Sequence, residues 1–257
     1  MQDWNDQAAR SVAWDASLLG DASSSFVASN RSASLAPENS SDFLFVLGSR
    51  SPRRRQLLND SNYRFFVLPS DDGVEERETP GDDPREFVDR LAFVKARDVA
   101  RKIRTNAEIR GEITRALSSK QTNAPFVVIS CDSIAVCDGE FLGKPIDIVD
   151  AERMLRKLSG STHCVHTGLC VWKLDDEPQN DQIVRRVETS VLLMDSLSEE
   201  RLKGYLASGL WEGKAGAFGY QDGNDWLQLI SGSESNVVGL PLEALRAVVE
   251  ELRPTTL

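Results

Sequence analysis

The sequence predicts an α/β domain built on a mixed sheet, and three observations lead there. An all-apolar run, Phe43-Leu-Phe-Val-Leu47, feeds through Gly48 directly into a capped helix; strand and helix patterns then alternate down the chain; and two long alternating segments follow one another closely enough to pair as a hairpin. With 257 residues and 40% apolar content the chain can bury a sizeable core, and one domain of about 200 residues plus extras is expected.

Taken in order, residues 1–41 lack hydrophobic period and are dense in Ser, Ala, Asn and Asp, so they are expected to be a disordered tail. The folded domain is expected to span 42–257. The run Phe43–Leu47 suits a strand buried on both faces. Ser51 and Pro52 supply an N-cap and a proline in the first helical turn, opening a helix over Arg53–Leu58. Tyr63–Leu68 reads as the next strand, followed by the acidic loop Asp71-Asp-Gly-Val-Glu-Glu76. Asp83-Pro-Arg-Glu86 resembles a capping box, and Phe87, Leu91 and Val94 continue at helical spacing, with Lys95 near the end of that stretch. Pro125–Val136 is a strand with Asp132 inside it. Asp138-Gly139 is a hairpin turn that returns Lys144 towards the Asp132 strand. Asp150–Leu158 is a helix closed by Gly160. Thr162–Leu174 and Ile183–Leu193 are the two paired strands, Ser198 caps a helix ending at Gly209, and Pro241 opens the last helix.

Composition narrows the function. A net charge of −10 and a pI near 4.9 argue against general affinity for nucleic acid or anionic membranes, which need a broad basic face, and aromatics for base stacking are not interleaved with Arg53–Arg55. No apolar stretch approaches the length of a membrane span, and the N-terminus lacks a secretory layout, so a soluble cytoplasmic protein is expected. Cys131, Cys137, Cys164 and Cys170 lie in predicted strands without Cys-x-x-Cys spacing and read as reduced thiols. His163, Cys164, His166 and Cys170 are close in sequence, but neighbours on a strand face opposite ways and no zinc spacing is met.

The chemistry concentrates in a few places. At Ser49–Arg55, backbone N–H groups, hydroxyls and arginines gather at a helix start, which makes a phosphate cradle or, more plainly, a surface helix with solvated arginines. Asp132 interrupts an apolar strand, so its carboxylate needs a cleft, a cation, a metal ion or hydrogen bonds from neighbouring backbone. Gly139–Pro145 resembles a P-loop superficially, yet it is one spacer short and has proline where Ser or Thr would hold magnesium. Gly213–Gly223 carries glycines at three-residue spacing, a flexible loop or one passing close to a flat ligand. Arg53, Lys95 and Lys144 as cations, with Glu76 and Asp132 as carboxylates, form the inventory for metal-assisted hydrolysis of a phosphoanhydride.

These residues resemble the Maf family of nucleoside triphosphate pyrophosphatases. The likeness rests on Leu47-Gly-Ser-Arg-Ser-Pro-Arg-Arg54, Asp72-Gly-Val-Glu-Glu76, Arg90-Leu-Ala-Phe-Val-Lys-Ala96, Ser130-Cys-Asp-Ser133, Leu142-Gly-Lys-Pro145, Leu158-Ser-Gly-Ser-Thr-His163, Lys214-Ala-Gly-Ala-Phe-Gly219 and Val237-Val-Gly-Leu-Pro241, in that order and from Phe43 to the last helix. It implies an elongated single domain with a mixed twisted sheet and flanking helices around a central nucleotide cleft, usually a homodimer. It also implies hydrolysis of a nucleoside triphosphate to monophosphate and pyrophosphate with Mg²⁺ or Mn²⁺. By position, Asp132 corresponds to the proposed general base, Glu76 helps hold metal or water, and Asp132 and Glu76 are the metal-side carboxylates. Ser49, Ser51, Arg54, Lys95 and Lys144 fall on the phosphate side. Arg53, Ser133 and Gln221 stand at the positions that separate dTTP and UTP hydrolysis from 7-methyl-GTP hydrolysis; Arg53 and Gln221 match the dTTP/UTP group, and Ser133 stands where that group usually has threonine and keeps the hydroxyl, which implies dTTP, UTP and modified pyrimidines as substrates. Cys131 and Arg50 depart from the usual residues. The competing expectation is a nucleotide-binding regulator of cell division with little turnover.

Overall fold

The structure is a computed structural model that describes residues 42–75, 78–117 and 124–253. The expected tail over 1–41 lies outside the described residues. One sheet of seven strands organises the rest, in the order β2-β1-β3-β5-β6-β7 with β4 paired to β3. The strands are β1 (Leu44–Leu47), β2 (Phe65–Val67), β3 (Phe126–Cys137), β4 (Glu140–Leu142), β5 (Thr162–Lys173), β6 (Gln182–Met194) and β7 (Leu227–Ser231). β1 runs parallel to β2 and β3; every other pairing is antiparallel, so the sheet is mixed as expected.

The helices are α1 (Pro52–Asp60), α2 (Pro84–Thr105), α3 (Ala107–Leu117), α4 (Ile148–Leu158), α5 (Glu199–Ala207), α6 (Glu234–Val238) and α7 (Leu242–Glu251). Each face of β1 has its own core. Phe45 and Leu47 pack with Leu58 of α1 and Leu245 of α7, whereas Leu44 and Val46 pack with Ala96, Val99 and Ile103 of α2. Burying such a side chain stabilises the fold by about 2 kcal/mol, and this two-sided burial is why β1 has no polar alternation. A third core, under α4 and α5, covers the far end of β3 through Ala135 and Cys137.

Local signals place most elements. The Ser51 hydroxyl accepts from the Arg54 N–H, with Pro52 at the first helical position. Asp83 caps α2 through the Arg85 N–H, while Glu86 turns towards Arg90 instead of closing the box. Asp138 and Gly139, both with positive φ, form the expected tight hairpin between β3 and β4. α4 begins earlier than expected because Asp147, not Asp150, caps it. α2 runs on to Thr105, well past Lys95, and Asn106 then caps α3 through the Glu108 and Ile109 N–H groups.

Candidate active site

The site begins with a gap in the sheet. β1 pairs with β3 only as far as Ile129, and β4 takes up the same edge at Ala135. Between them, Ser130–Ile134 has β5 on one side and, among the described residues, no strand on the other. A cleft of about 720 Å³ lies along that open edge, at the carboxyl end of β1 where α/β sheets place their ligands. Because the edge is bare, side chains from both faces of β3 reach one cavity. Asp132 points to the α2 face and Ser133 to the α6 face, and both line the cleft.

On the α2 face, Lys95 is only 5% exposed yet charged. Its Nζ lies 2.5 Å from Asp132 Oδ1 and 2.9 Å from Glu75 Oε1, so a buried ammonium holds two carboxylates together. Burial alone would raise the Glu75 pKa; the Lys95 ammonium, with Lys144 and Arg54 beyond it, outweighs this and holds it below the usual carboxylate value. The acidic loop is anchored to α2 for this purpose. Lys102 binds Asp71 at 2.6 Å and the Pro69 carbonyl at 2.9 Å, the Asp71 N–H donates to Asp98 at 2.9 Å, and Arg50 pairs with Asp72. Lys144, on the strap after β4, is exposed on the cleft wall.

Helical phase separates the three arginines of α1. Arg55 is exposed, whereas Arg53 and Arg54 are half-buried against the cleft. Arg54 donates through Nε to the Gly239 carbonyl at 2.6 Å, through Nη1 to Ser49 Oγ at 3.2 Å and the Cys131 carbonyl at 2.8 Å, and through Nη2 to Ser133 Oγ at 3.2 Å. A guanidinium has five N–H donors, so Arg54 is chiefly a clamp that ties α1, the Ser49 turn, β3 and the end of α6 together. Arg53 donates to the Gly213 carbonyl at 3.1 Å; burial, followed by the like charge of Arg54, lowers its pKa from the ordinary value. An anion beside it would reverse that effect. Cys131, fully buried behind the clamp, has its thiol pushed up to about 11 by burial, which leaves it unreactive at neutral pH.

The glycine-rich wall closes the opposite side. Lys214 Nζ sits 2.6 Å from Asp222 Oδ1, the Tyr205 hydroxyl donates to Asp222 at 2.8 Å, and the Gly219 N–H donates to Tyr205 at 3.1 Å. A Cβ on Gly219 would lie 2.4 Å from Lys214 Nζ, so a side chain there would push the Lys214–Asp222 pair aside.

Residues 44–252 match the sequence model described as Maf-like protein. The chain belongs to the Maf-like family. It is 42% identical over 206 residues to a protein of Rhodopirellula baltica named dTTP/UTP pyrophosphatase, covering 80% of each chain. Proteins of the same name from Geotalea uraniireducens and a Geobacter species are 40% and 39% identical, over 77% and 79% of this chain and 89% and 94% of theirs.

In this Maf-like chain the structure brings Ser49, Ser51, Arg53, Arg54, Lys95, Asp132, Ser133, Lys144 and Gln221 to one cleft. Glu76 lies outside the described residues; among those described, Glu75 and Asp132 place carboxylates on Lys95. Sequence reasoning also passed over Lys214, Asp222 and Thr167. The first two lie in the glycine-rich stretch already singled out, but their pairing depends on how that loop folds back. Thr167 lay in a strand without any mark of its own.

Proposed function

We propose that this chain hydrolyses nucleoside triphosphates, dTTP and UTP foremost, to the monophosphate and pyrophosphate, using Mg²⁺ or Mn²⁺. The observation that carries this is the Glu75–Lys95–Asp132 cluster on the open edge of β3, in a chain closely similar to proteins named dTTP/UTP pyrophosphatase. A cleft of this volume suits one nucleotide. Asp132 takes a proton from water as the water oxygen bonds to the α-phosphorus and the bond from that phosphorus to the α–β bridging oxygen breaks, so that pyrophosphate leaves with the bridging oxygen. Lys95 and Lys144 hold charge beside the phosphate oxygens, and the Ser49 turn at the start of α1 offers N–H groups to them.

Asp132 and Glu75 converge on one cation, Lys95, and the same two carboxylates would be the residues to hold a hard metal ion. Such an ion would supply further positive charge for the transferring phosphate. We place the protein in the cytoplasm as a homodimer, acting on free nucleotides and not on nucleic acid or membranes. The net charge of −10 supports the absence of affinity for nucleic acid and anionic membranes, and no helix among the described residues is long and apolar enough to cross a membrane.

The test incubates the protein with dTTP, UTP, CTP, 7-methyl-GTP and ITP and resolves every product. Monophosphate plus pyrophosphate is expected from dTTP and UTP, lost on chelation and restored by Mg²⁺ or Mn²⁺. Asp132→Asn, which keeps the shape of the side chain, is expected to lower turnover by at least about 100-fold. Thermal stabilisation by dTTP without pyrophosphate release would replace this reading with a nucleotide-binding regulator.

A further inference from the structure

Behind Ser133 runs a chain of hydroxyls whose proton order can be read from chemistry alone. A guanidinium only donates, so at 3.2 Å Arg54 Nη2 gives a hydrogen bond and Ser133 Oγ accepts it. A carbonyl only accepts, so at 3.0 Å the single hydroxyl proton of Thr167 goes to the Asn236 oxygen. Ser133 Oγ and Thr167 Oγ1 are 2.9 Å apart. Since the Thr167 proton is already placed, the proton between them belongs to Ser133. Ser133 therefore has no proton for the cleft; what it presents there is a lone pair.

The surroundings hold this order in place. Thr167 is 0% exposed and Asn236 1% exposed, so water does not compete for either group. Asn236 is itself held, its Nδ2 donating to the Val165 carbonyl at 3.2 Å and to Ser190 Oγ at 2.9 Å. The two faces of β3 also divide a nucleotide chemically. Lys95, Glu75 and Asp132 gather the charge on one face, whereas on the other, past Arg54 and Ser133, Val165, Phe218 and Val237 give the cleft an apolar stretch of wall. A flat base suits the second side, within reach of Ser133.

We infer that Thr167 and the Asn236 carbonyl act as positioning groups that make Ser133 an obligate hydrogen-bond acceptor, so that among pyrimidines the cleft selects bases with a ring N–H; this rests on the nucleoside triphosphate reading of the cleft. Uracil and thymine carry a proton at N3. Cytosine has a lone pair there, which would face the lone pair of Ser133.

The experiment compares kcat/KM for dTTP, N3-methyl-dTTP and CTP in the wild type, Thr167→Val and Thr167→Ser. The wild type is expected to favour dTTP over both other nucleotides by about tenfold or more. Thr167→Val frees the Ser133 proton, so the dTTP-to-CTP ratio should fall about tenfold, while Thr167→Ser keeps the wild-type ratio. A merely structural loss would lower both rates and leave their ratio alone. Equal use of dTTP and N3-methyl-dTTP by the wild type, or an unchanged ratio in Thr167→Val, overturns the inference and leaves the pyrophosphatase reading standing. If no nucleotide is turned over, that reading fails, and the inference is decided by calorimetric binding of dUMP against dCMP: a preference for dUMP supports it and equal affinity overturns it.

Discussion

Arg54 illustrates why a cation near a phosphate site need not be a phosphate ligand. Four of its hydrogen bonds go to the protein, two of them to backbone carbonyls at Cys131 and Gly239, and they hold β3 in the position that presents Asp132 and Ser133. A lysine cannot reproduce a planar fork. Arg54→Lys is therefore expected to cost about 2 kcal/mol of stability in urea unfolding and to lower kcat/KM about 100-fold. A variant with wild-type stability would show that Arg54 acts as a point charge alone. The helix start at Ser51-Pro52 was legible because a cap works over three residues. The inward turn of Arg54 was not, because two of its four acceptors are backbone carbonyls 77 and 185 residues away, atoms without residue identity.

At the scale of elements, the site depends on how closely α2 approaches β5. A Cβ added to Gly168 would lie 2.2 Å from the Val88 carbonyl oxygen, so only glycine lets the helix settle there. Gly168 is paired with Asp132 across the strands, and Lys95 is two turns along α2 from Val88. Gly168→Ala is expected to destabilise the fold by about 1–3 kcal/mol and to reduce pyrophosphate release by moving Lys95 away from Asp132; a urea midpoint and a turnover assay check both. The hairpin at Asp138-Gly139 and the caps at Ser51 and Asp83 were readable in the sequence. α3, β7 and α6 were not. α3 follows α2 after a single residue, Asn106, and α6 is a five-residue helix held by Ser233 and closed at Gly239, too short for a periodic pattern to emerge.

For the whole molecule, acid stability should report a buried histidine that packs behind the cleft-lining Phe218. His163 is 2% exposed, edge-on to Phe218 at 5.1 Å, and burial pushes its pKa down to about 4 against the pull of the Ser161 backbone. Its folded pKa lies below its unfolded one, so between pH 6.5 and 4 the unfolded chain binds more protons. The stability contributed by the neutral ring is thus complete above pH 6.5 and falls away as pH drops towards 4, by roughly 3 kcal/mol. His163→Leu should flatten this dependence in urea unfolding at pH 7 and pH 4.5; an identical loss in both proteins would assign the acid sensitivity to other groups.

Sequence alone determined the alternation of strands and helices, the caps and the hairpin turn, because each of these follows from side chains within a few residues of one another; the groups of the cleft were named through motifs spread along the chain and their resemblance to one family. Tertiary structure decided the rest. It set where β1 ends against β3 and so left Ser130–Ile134 with an open edge, which lets Asp132 and Ser133 serve one cavity from opposite faces. It also brought Glu75 and Asp132 together on Lys95 and directed the Ser133 proton inward to Thr167. These outcomes depend on strand register and on hydrogen bonds between segments distant in the chain, and local propensity carries no record of either.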